Sequence, residues 1–387
     1  MIELFQALIV FGVAFVAAYL SVPLSKRIAG KIGAVDYPGN RRINNIPVPR
    51  CGGIALYLGL AAACVVILVG VHFFEWKIHY LFEINEINFF LLAIGVSFIF
   101  VVGLIDDVIQ ITPVIKFSGQ IIACIIVALS GITIGVIRSP FESGFIDLGW
   151  LDIPITVVYL LIFVNTINLI DGLDGLASGI VVIVSAGLVY LMLSRGGSLF
   201  VLIAIALIAV CLAFLKFNFY PASVFMGDSG SLLLGLMVGI VSIAGVVRTQ
   251  SLVVMLVPLV MAGVPMLDTF SAIIRRLRGH QPVQQADMGH IHHRLFNAGF
   301  GQRKSVLILY ACSAVLAFVG CLLGTVNTVL GQWIVVVVLA IVLFVVIWRF
   351  GLFSPVLKHY YDNKSGRGSR TPPETEIIEV EPHKKDS

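Results

Sequence analysis

Runs of about 20 apolar residues recur along almost the whole chain, each broken by a short polar segment, and a run of that length reads as a membrane-spanning helix. In hydrocarbon every backbone N–H and C=O must find its partner inside the protein, which leaves helices or closed barrels. Barrel strands would alternate over about 10 residues and are excluded. Composition agrees, because 59% hydrophobic and 12% charged residues lie far outside the range of water-soluble domains. The expected fold class is an all-α polytopic integral membrane protein. Spans are placed near 4–22, 52–71, 89–105, 117–136, 154–170, 178–194, 198–215, 231–247, 251–273, 305–325 and 329–349, about eleven in all.

Charge sets the expected orientation. With the N-terminus outside, the outer segments hold only Lys77, Arg138, Arg195 and Arg248, leaving 21 of the 25 Lys and Arg inside. The positive-inside rule then puts the C-terminus in the cytoplasm. The first apolar run precedes its first basic residue, Lys26, so it is expected to stay as a span and not to be removed as a leader. Residues 1–350 read as one transmembrane domain and 351–387 as a cytoplasmic tail, disordered from 362 because Gly, Pro, Ser, Lys and Glu dominate it. Cys51, Cys64, Cys124, Cys211, Cys312 and Cys321 show no ligand spacing and read as small packing residues. The net charge of +4 is not gathered on a soluble domain, so no nucleic-acid partner is expected.

Polar groups at the ends of such spans need a reason, since a carboxylate at the middle of a span costs on the order of 2.5–3.5 kcal/mol. Residues 165–179 set Asn165, Asn168, Asp171 and Asp174 at the inner end of one run, with Gly172 and Gly175 each following an Asp. Asp106 and Asp107 end another run, where the helix dipole disfavours them, so they call for a cation, a basic loop or a broken helix. Lys116 follows about two turns on, as a snorkelling anchor or a phosphate ligand. Asn218, Phe225 and Asp228 precede the eighth run, where Asp228 suits a hard cation and free N–H groups suit phosphate, a plain helix cap being the simpler alternative. The loop from Ser25 to Arg50 leads through Cys51, Gly52 and Gly53 into the second run, either as topogenic charge and a turn or as an anion-facing loop. Asp268 lies in the ninth run before Arg275 and Arg276, where an ion pair suits it as well as chemistry does. The fifth inner loop carries His290, His292, His293 and Arg294, a set too tight and too basic for zinc and better suited to a pyrophosphate or a sugar. The segment from Arg138 to Pro154 reads as a short outer hairpin.

Every cluster falls on one side of the membrane, which points to one site. Carboxylates beside Lys and Arg suit a nucleotide diphosphate with Mg²⁺, yet the chain has no Walker loop and no dinucleotide fingerprint. A nucleotide would then meet its partner at the membrane, which suggests a lipid phosphate as acceptor. In this order, Asp106-Asp107, Asn168-Leu-Ile-Asp171-Gly-Leu-Asp174-Gly-Leu, the stretch from Asn218 to Gly230 and His290-Ile-His-His-Arg-Leu resemble the polyprenyl-phosphate N-acetylhexosamine-1-phosphate transferases. The resemblance covers about residues 33–303.

It implies transfer of a sugar-1-phosphate from a UDP-sugar to undecaprenyl phosphate with release of UMP. It also implies Mg²⁺ as cofactor with Mn²⁺ as a substitute, and the bacterial inner (cytoplasmic) membrane with the site facing the cytoplasm. Its partners would be the UDP-sugar, undecaprenyl phosphate and the lipid bilayer, and a homodimer is compatible with it. The resemblance assigns Asp106, Asp107, Asp171, Asp174 and His290 to catalysis, and Asp228 with Asp107 to the metal. Lys116, Asn165, Asn168, Asn218, Phe225, His292, His293 and Arg294 are assigned to substrate, Phe225 as a ring that can stack on uracil. The His-Ile-His-His string, and Pro47-Val-Pro-Arg-Cys-Gly-Gly53 ahead of the second run, resemble the branch that uses UDP-N-acetylglucosamine to start O-antigen, teichoic acid or related polymers. The alternatives are another UDP-N-acetylhexosamine, the UDP-N-acetylmuramoyl-pentapeptide branch and, in a different class, a cation-coupled transporter, which would place polar groups near the bilayer midplane.

Overall fold

In the computed structural model, the described residues are 4–37, 47–76, 87–138, 145–194, 196, 199–247, 257–263 and 301–326, with 328, 330–331, 333–335 and 337–341 beyond them. Among these, eight helices are long and apolar enough to cross a membrane. The helices follow the expected order, with α4 and α9 outside those eight: α1 (Leu4–Ile32), α2 (Gly53–Phe73), α3 (Phe89–Ile109), α4 (Pro113–Leu129), α5 (Asp152–Ile170), α6 (Leu176–Ser194), α7 (Leu199–Asn218), α8 (Gly227–Ser242), α9 (Val257–Met261) and α10 (Gln302–Thr325). The protein is thus a mostly helical, multi-pass membrane protein. Much of the ninth and eleventh expected spans, Asp268 and the tail lie outside the described residues.

The first and fourth helices differ most from the expectation. The first helix does not stop near 22 but runs through Pro23 to Ile32, because Ala29 on its last turns packs with Ala34, Cys51 and Ile54 and so gains burial. The fourth begins at Pro113, where the Thr112 hydroxyl caps the Ile115 N–H at 3.4 Å and proline fits the first turn, and it ends at Leu129 instead of 136. The expected outer hairpin is present as β3 (Val136–Arg138) against β4 (Phe145–Asp147), antiparallel. On the opposite side β1 (Val35–Asp36) pairs with β2 (Val48–Pro49) and closes the basic loop after α1.

Helix α8 is the axis of the bundle. Of an 18-residue window within Gly227–Gly245, 94% is buried, against 22% for such a window in α1, so α8 is enclosed by protein while α1 lies on the outside of the bundle. It packs against α3 and α5. Helices in lipid lack a hydrophobic drive to associate and rely on close backbone approach through small residues. Gly235 and Gly239, four residues apart, provide it on the face toward α5: a Cβ at Gly235 would lie 2.7 Å from Val164 Cα, and one at Gly239 would lie 2.9 Å from Leu160 Cδ2.

Gly235→Val is therefore expected to destabilise the protein by about 1–3 kcal/mol, the usual scale of overpacking, and to lower the thermal midpoint in detergent. Gly12→Ala, where nothing lies within 4 Å of an added Cβ, should leave that midpoint in place.

Candidate functional site

The polar clusters meet at the end of the bundle where α3 and α5 finish and where α4, α6, α8 and α10 begin. Asp107, only 3% exposed, ends α3 and faces the first turn of α8. Its Oδ1 accepts from the Asp228 N–H at 2.7 Å, and its Oδ2 accepts from the Ser229 N–H at 3.1 Å and the Ser229 hydroxyl at 2.6 Å. The carboxylate that its own helix dipole disfavours is thus held by the positive end of another helix. Gly227 lets this happen, because at φ 72° it has backbone freedom, and a Cβ there would meet the Arg50 carbonyl and the Asp107 carboxylate.

Asp106, on the next position round α3, turns to α4. Its Oδ1 accepts from the Ile111 N–H at 2.9 Å and its Oδ2 pairs with Lys116 Nζ at 3.0 Å. Lys116 also donates to Asp228 Oδ1 at 2.5 Å, an atom that Asn168 Nδ2 from α5 reaches at 2.5 Å as well. Asn168 donates on to the Ser231 hydroxyl at 2.8 Å, and Arg50 Nη2 stands 3.9 Å from Asp228 Oδ2. The Lys116, Asp106 and Asp228 side chains keep only 19%, 9% and 17% of their surface exposed, so water screens these pairs weakly. Asp228 is the junction where α3, α4, α5 and α8 meet.

Asp171, at the end of α5, has no hydrogen-bond partner among the described residues. Burial, with the Asp228 and Asp107 charges nearby, holds its carboxyl well above the usual carboxylate range. Burial also raises Asp174, against the opposing pull of the Ala222 N–H, which donates to Asp174 Oδ2 at 3.0 Å, and of the Gln302 side chain.

Three other expected site residues make their hydrogen bonds away from Asp228. Asn218, 2% exposed, accepts from the Gly175 N–H at 3.1 Å and donates to the Val224 carbonyl at 3.0 Å, so it ties two loops together. Asn165 lies one turn further into the bundle and donates to Gln120 Oε1 and to the Leu161 carbonyl, both at 2.9 Å. Phe225 is half-buried, and its backbone pairs with the segment before α2: its N–H donates to the Pro49 carbonyl at 2.8 Å and its carbonyl accepts from Gly52 at 3.0 Å. That pairing, with Gly53 N–H donating to the Met226 carbonyl at 2.9 Å, corrects the idea that the Gly-Gly N–H groups face an anion. The first N–H groups of α8 are likewise taken, by Asp107. His290, His292, His293 and Arg294 lie outside the described residues.

The chemistry of the donor set fits a hard divalent cation. It consists of oxygens, and the carboxylates of Asp106, Asp107, Asp171 and Asp228 outnumber the cations beside them. Among the described residues, however, no three Asp, Glu, His or Cys side chains are gathered closely enough to hold an ion as they stand. Lys116 is the charge that links Asp106 to Asp228.

The model of glycosyl transferase family 4 matches residues 89–246. A protein of Bacillus subtilis (strain 168), described as a probable undecaprenyl-phosphate N-acetylglucosaminyl 1-phosphate transferase, is 38% identical over 302 residues, covering 77% of this chain and 80% of the relative. The chain belongs to glycosyl transferase family 4. A decaprenyl-phosphate N-acetylglucosaminephosphotransferase of Mycolicibacterium smegmatis is 32% identical, with 86% of each chain covered. A phospho-N-acetylmuramoyl-pentapeptide-transferase of Moorella thermoacetica is 34% identical over 58% of this chain and 73% of its own. The family-4 match runs from the start of α3 to just beyond α8, and so holds every described member of the cluster except Arg50.

Arg50, Ser229, Ser231 and Gln120 carry parts of this geometry that the sequence reading did not assign. Gln120 had a signal, as a lone amide in an apolar run, but its partner is visible only once α4 lies against α5.

Asp107→Asn replaces an acceptor oxygen with an amide that faces two donors, and should lower stability by about 1–3 kcal/mol in a denaturation measurement. Asp171 carries a sign that can be checked by pH. Its folded-state pKa lies above the unfolded one, so the ligand-free protein should lose stability as pH rises from the ordinary carboxylate range through the raised value. Asp171→Asn should flatten that loss and raise the alkaline thermal midpoint relative to wild type.

Proposed function

We propose that the protein transfers N-acetylglucosamine-1-phosphate from UDP-N-acetylglucosamine to undecaprenyl phosphate. The products are undecaprenyl-diphospho-N-acetylglucosamine and UMP, and the lipid product starts a cell-surface polysaccharide. The observation that carries this reading is the junction at Asp228. Carboxylates, Lys116, Arg50 and Asn168 converge where apolar helices end, the depth at which a lipid-borne phosphate and a water-soluble nucleotide can meet. The names of the Bacillus and Mycolicibacterium relatives support N-acetylglucosamine as the sugar. The bacterial inner membrane, with the site on the cytoplasmic face, is the corresponding location.

In the reaction, an oxygen of the acceptor phosphate bonds to the sugar-bearing phosphorus of the donor while the bond from that phosphorus to the bridging oxygen breaks. The electron pair leaves with UMP. Acceptor phosphate oxygens are already ionised at neutral pH, so attack needs little base, and no enzyme carboxylate has to become a nucleophile. Asp228 and the carboxylates beside it would hold Mg²⁺, which would supply neutralisation of phosphate charge. Lys116 and Arg50 are placed to meet phosphate oxygens once the donor draws them from Asp228. Asn168 keeps the Asp228 carboxylate aimed, through its second bond to Ser231. Asp107 acts through α8, holding its first turn and therefore Asp228 in place.

The test is UMP release by purified protein given undecaprenyl phosphate and Mg²⁺, with UDP-N-acetylglucosamine and UDP-N-acetylmuramoyl-pentapeptide offered separately. Turnover is expected with the first donor only, lost on chelation and restored by Mg²⁺. Asp228→Ala should reduce it by about 100-fold or more, the scale of removing a group that stabilises transition-state charge. Turnover with only the second donor would move the protein to the activity named for the Moorella relative, and silence with both would sink the reading.

A further inference from the structure

Helix α10 enters beside the cluster although none of the groups converging on Asp228 lies on it. Its apolar residues Val306, Leu309, Leu316 and Leu323 are buried in the common core and fix it in the bundle. Its polar residues do something else. The Tyr310 hydroxyl donates to the Gly175 carbonyl at 2.6 Å. Gly175 sits at φ 78° in the turn between α5 and α6, and its N–H is already held by Asn218. Both backbone polar groups of this one residue are therefore pinned, the N–H from α7 and the carbonyl from α10 and from the Gly179 N–H of α6. The phenol ring lies against Gly179 on the first turn of α6, where any Cβ would overlap it. Nearby, the Gln302 side chain lies beside Asp174, and the Arg303 guanidinium lies 5.6 Å from the Tyr220 ring centroid. The first turns of α10 thus touch both segments that lead into the site, the turn at 171–175 and the loop after α7.

We propose that Tyr310 is a positioning residue for phosphotransfer: its hydroxyl fixes the Gly175 carbonyl and so holds the turn that carries Asp171 and Asp174 against the start of α8. The inference rests on the transferase reading above. The Gly179 N–H, which opens the ladder of α6, bonds the same carbonyl at 3.0 Å, so the Tyr310 hydroxyl takes its second lone pair and ties this positive-φ turn to α10 as well as to α6. The ring and the hydroxyl have separable duties, since the ring edge stays against Gly179 without the hydroxyl and only the hydroxyl bonds the turn.

Tyr310→Phe separates them. In full-length protein in detergent, it should lower kcat about tenfold, the scale of one hydrogen bond, while KM for the UDP-sugar changes less than twofold. The thermal midpoint should stay close to wild type because the ring remains. Amide hydrogen exchange in a peptide covering 171–179 should be faster than in wild type. Tyr190→Phe, an exposed ring on α6, serves as the control and should change none of these. Unchanged kcat would overturn the proposal whether or not exchange quickens, as would a kcat loss without faster exchange, or one matched by a falling midpoint. Wild-type protein silent with every donor would refute the transferase reading instead, and the exchange result would still decide whether Tyr310 holds the turn.

Discussion

The structure depends on the meeting of the α3 C-terminus with the α8 N-terminus through Asp107. Two helices that approach with opposite dipole ends would each leave unsatisfied backbone groups, and a carboxylate at the end of α3 would sit in an unfavourable field. Placed head to tail, each solves the other's problem: the Asp107 oxygens take the Asp228 and Ser229 N–H groups, and those donors stabilise the charge. The consequence reaches beyond the cap. Because the capped residue is Asp228 itself, the group at the centre of the site is positioned by the same bonds that join the two helices. Fold and site therefore share one set of contacts.

The charge around that contact is deliberately uneven. Asp106 and Asp228 share Lys116 and Arg50 stands near Asp228, while Asp171 makes no ion pair among the described residues and feels Arg50 only at longer range. A cluster built only for stability would have matched its ions or replaced them with apolar packing. An excess of buried carboxylate is instead the arrangement that a phosphate-handling site with a hard cation would use, at some cost to the ligand-free protein. Around it, residues that make no charge contact hold the backbone still. Asn218 joins the turn at Gly175 to the loop at Val224, and the Pro49 to Gly53 segment pairs with Phe225 and Met226.

The helices were legible because lipid allows few alternatives, and the order of the motifs was legible because each polar group in an apolar chain stands out. Where helices stop was less clear. The extension of α1 through Pro23 depends on burial of Ala29 against Cys51, a residue from a later helix entrance, and no local signal announces it. The roles of the asparagines were equally hidden. Asn165, Asn168 and Asn218 look alike in the sequence, yet only Asn168 reaches Asp228, while Asn165 meets Gln120 and Asn218 bridges loops. Helical phase and the angle at which neighbours arrive separate them.

What the sequence determined by itself is therefore a bundle of spans, the side on which polar groups gather, and the family whose motifs appear in that order, since hydropathy and spacing are properties of the chain alone. What only the tertiary structure decided is which polar group answers which. Asp107 serves the end of α8, Lys116 bridges Asp106 and Asp228, and Tyr310 reaches a carbonyl 135 residues away. These pairings follow from where helix ends come together in three dimensions, and a hydrogen bond is decided over a few ångströms that sequence separation does not encode.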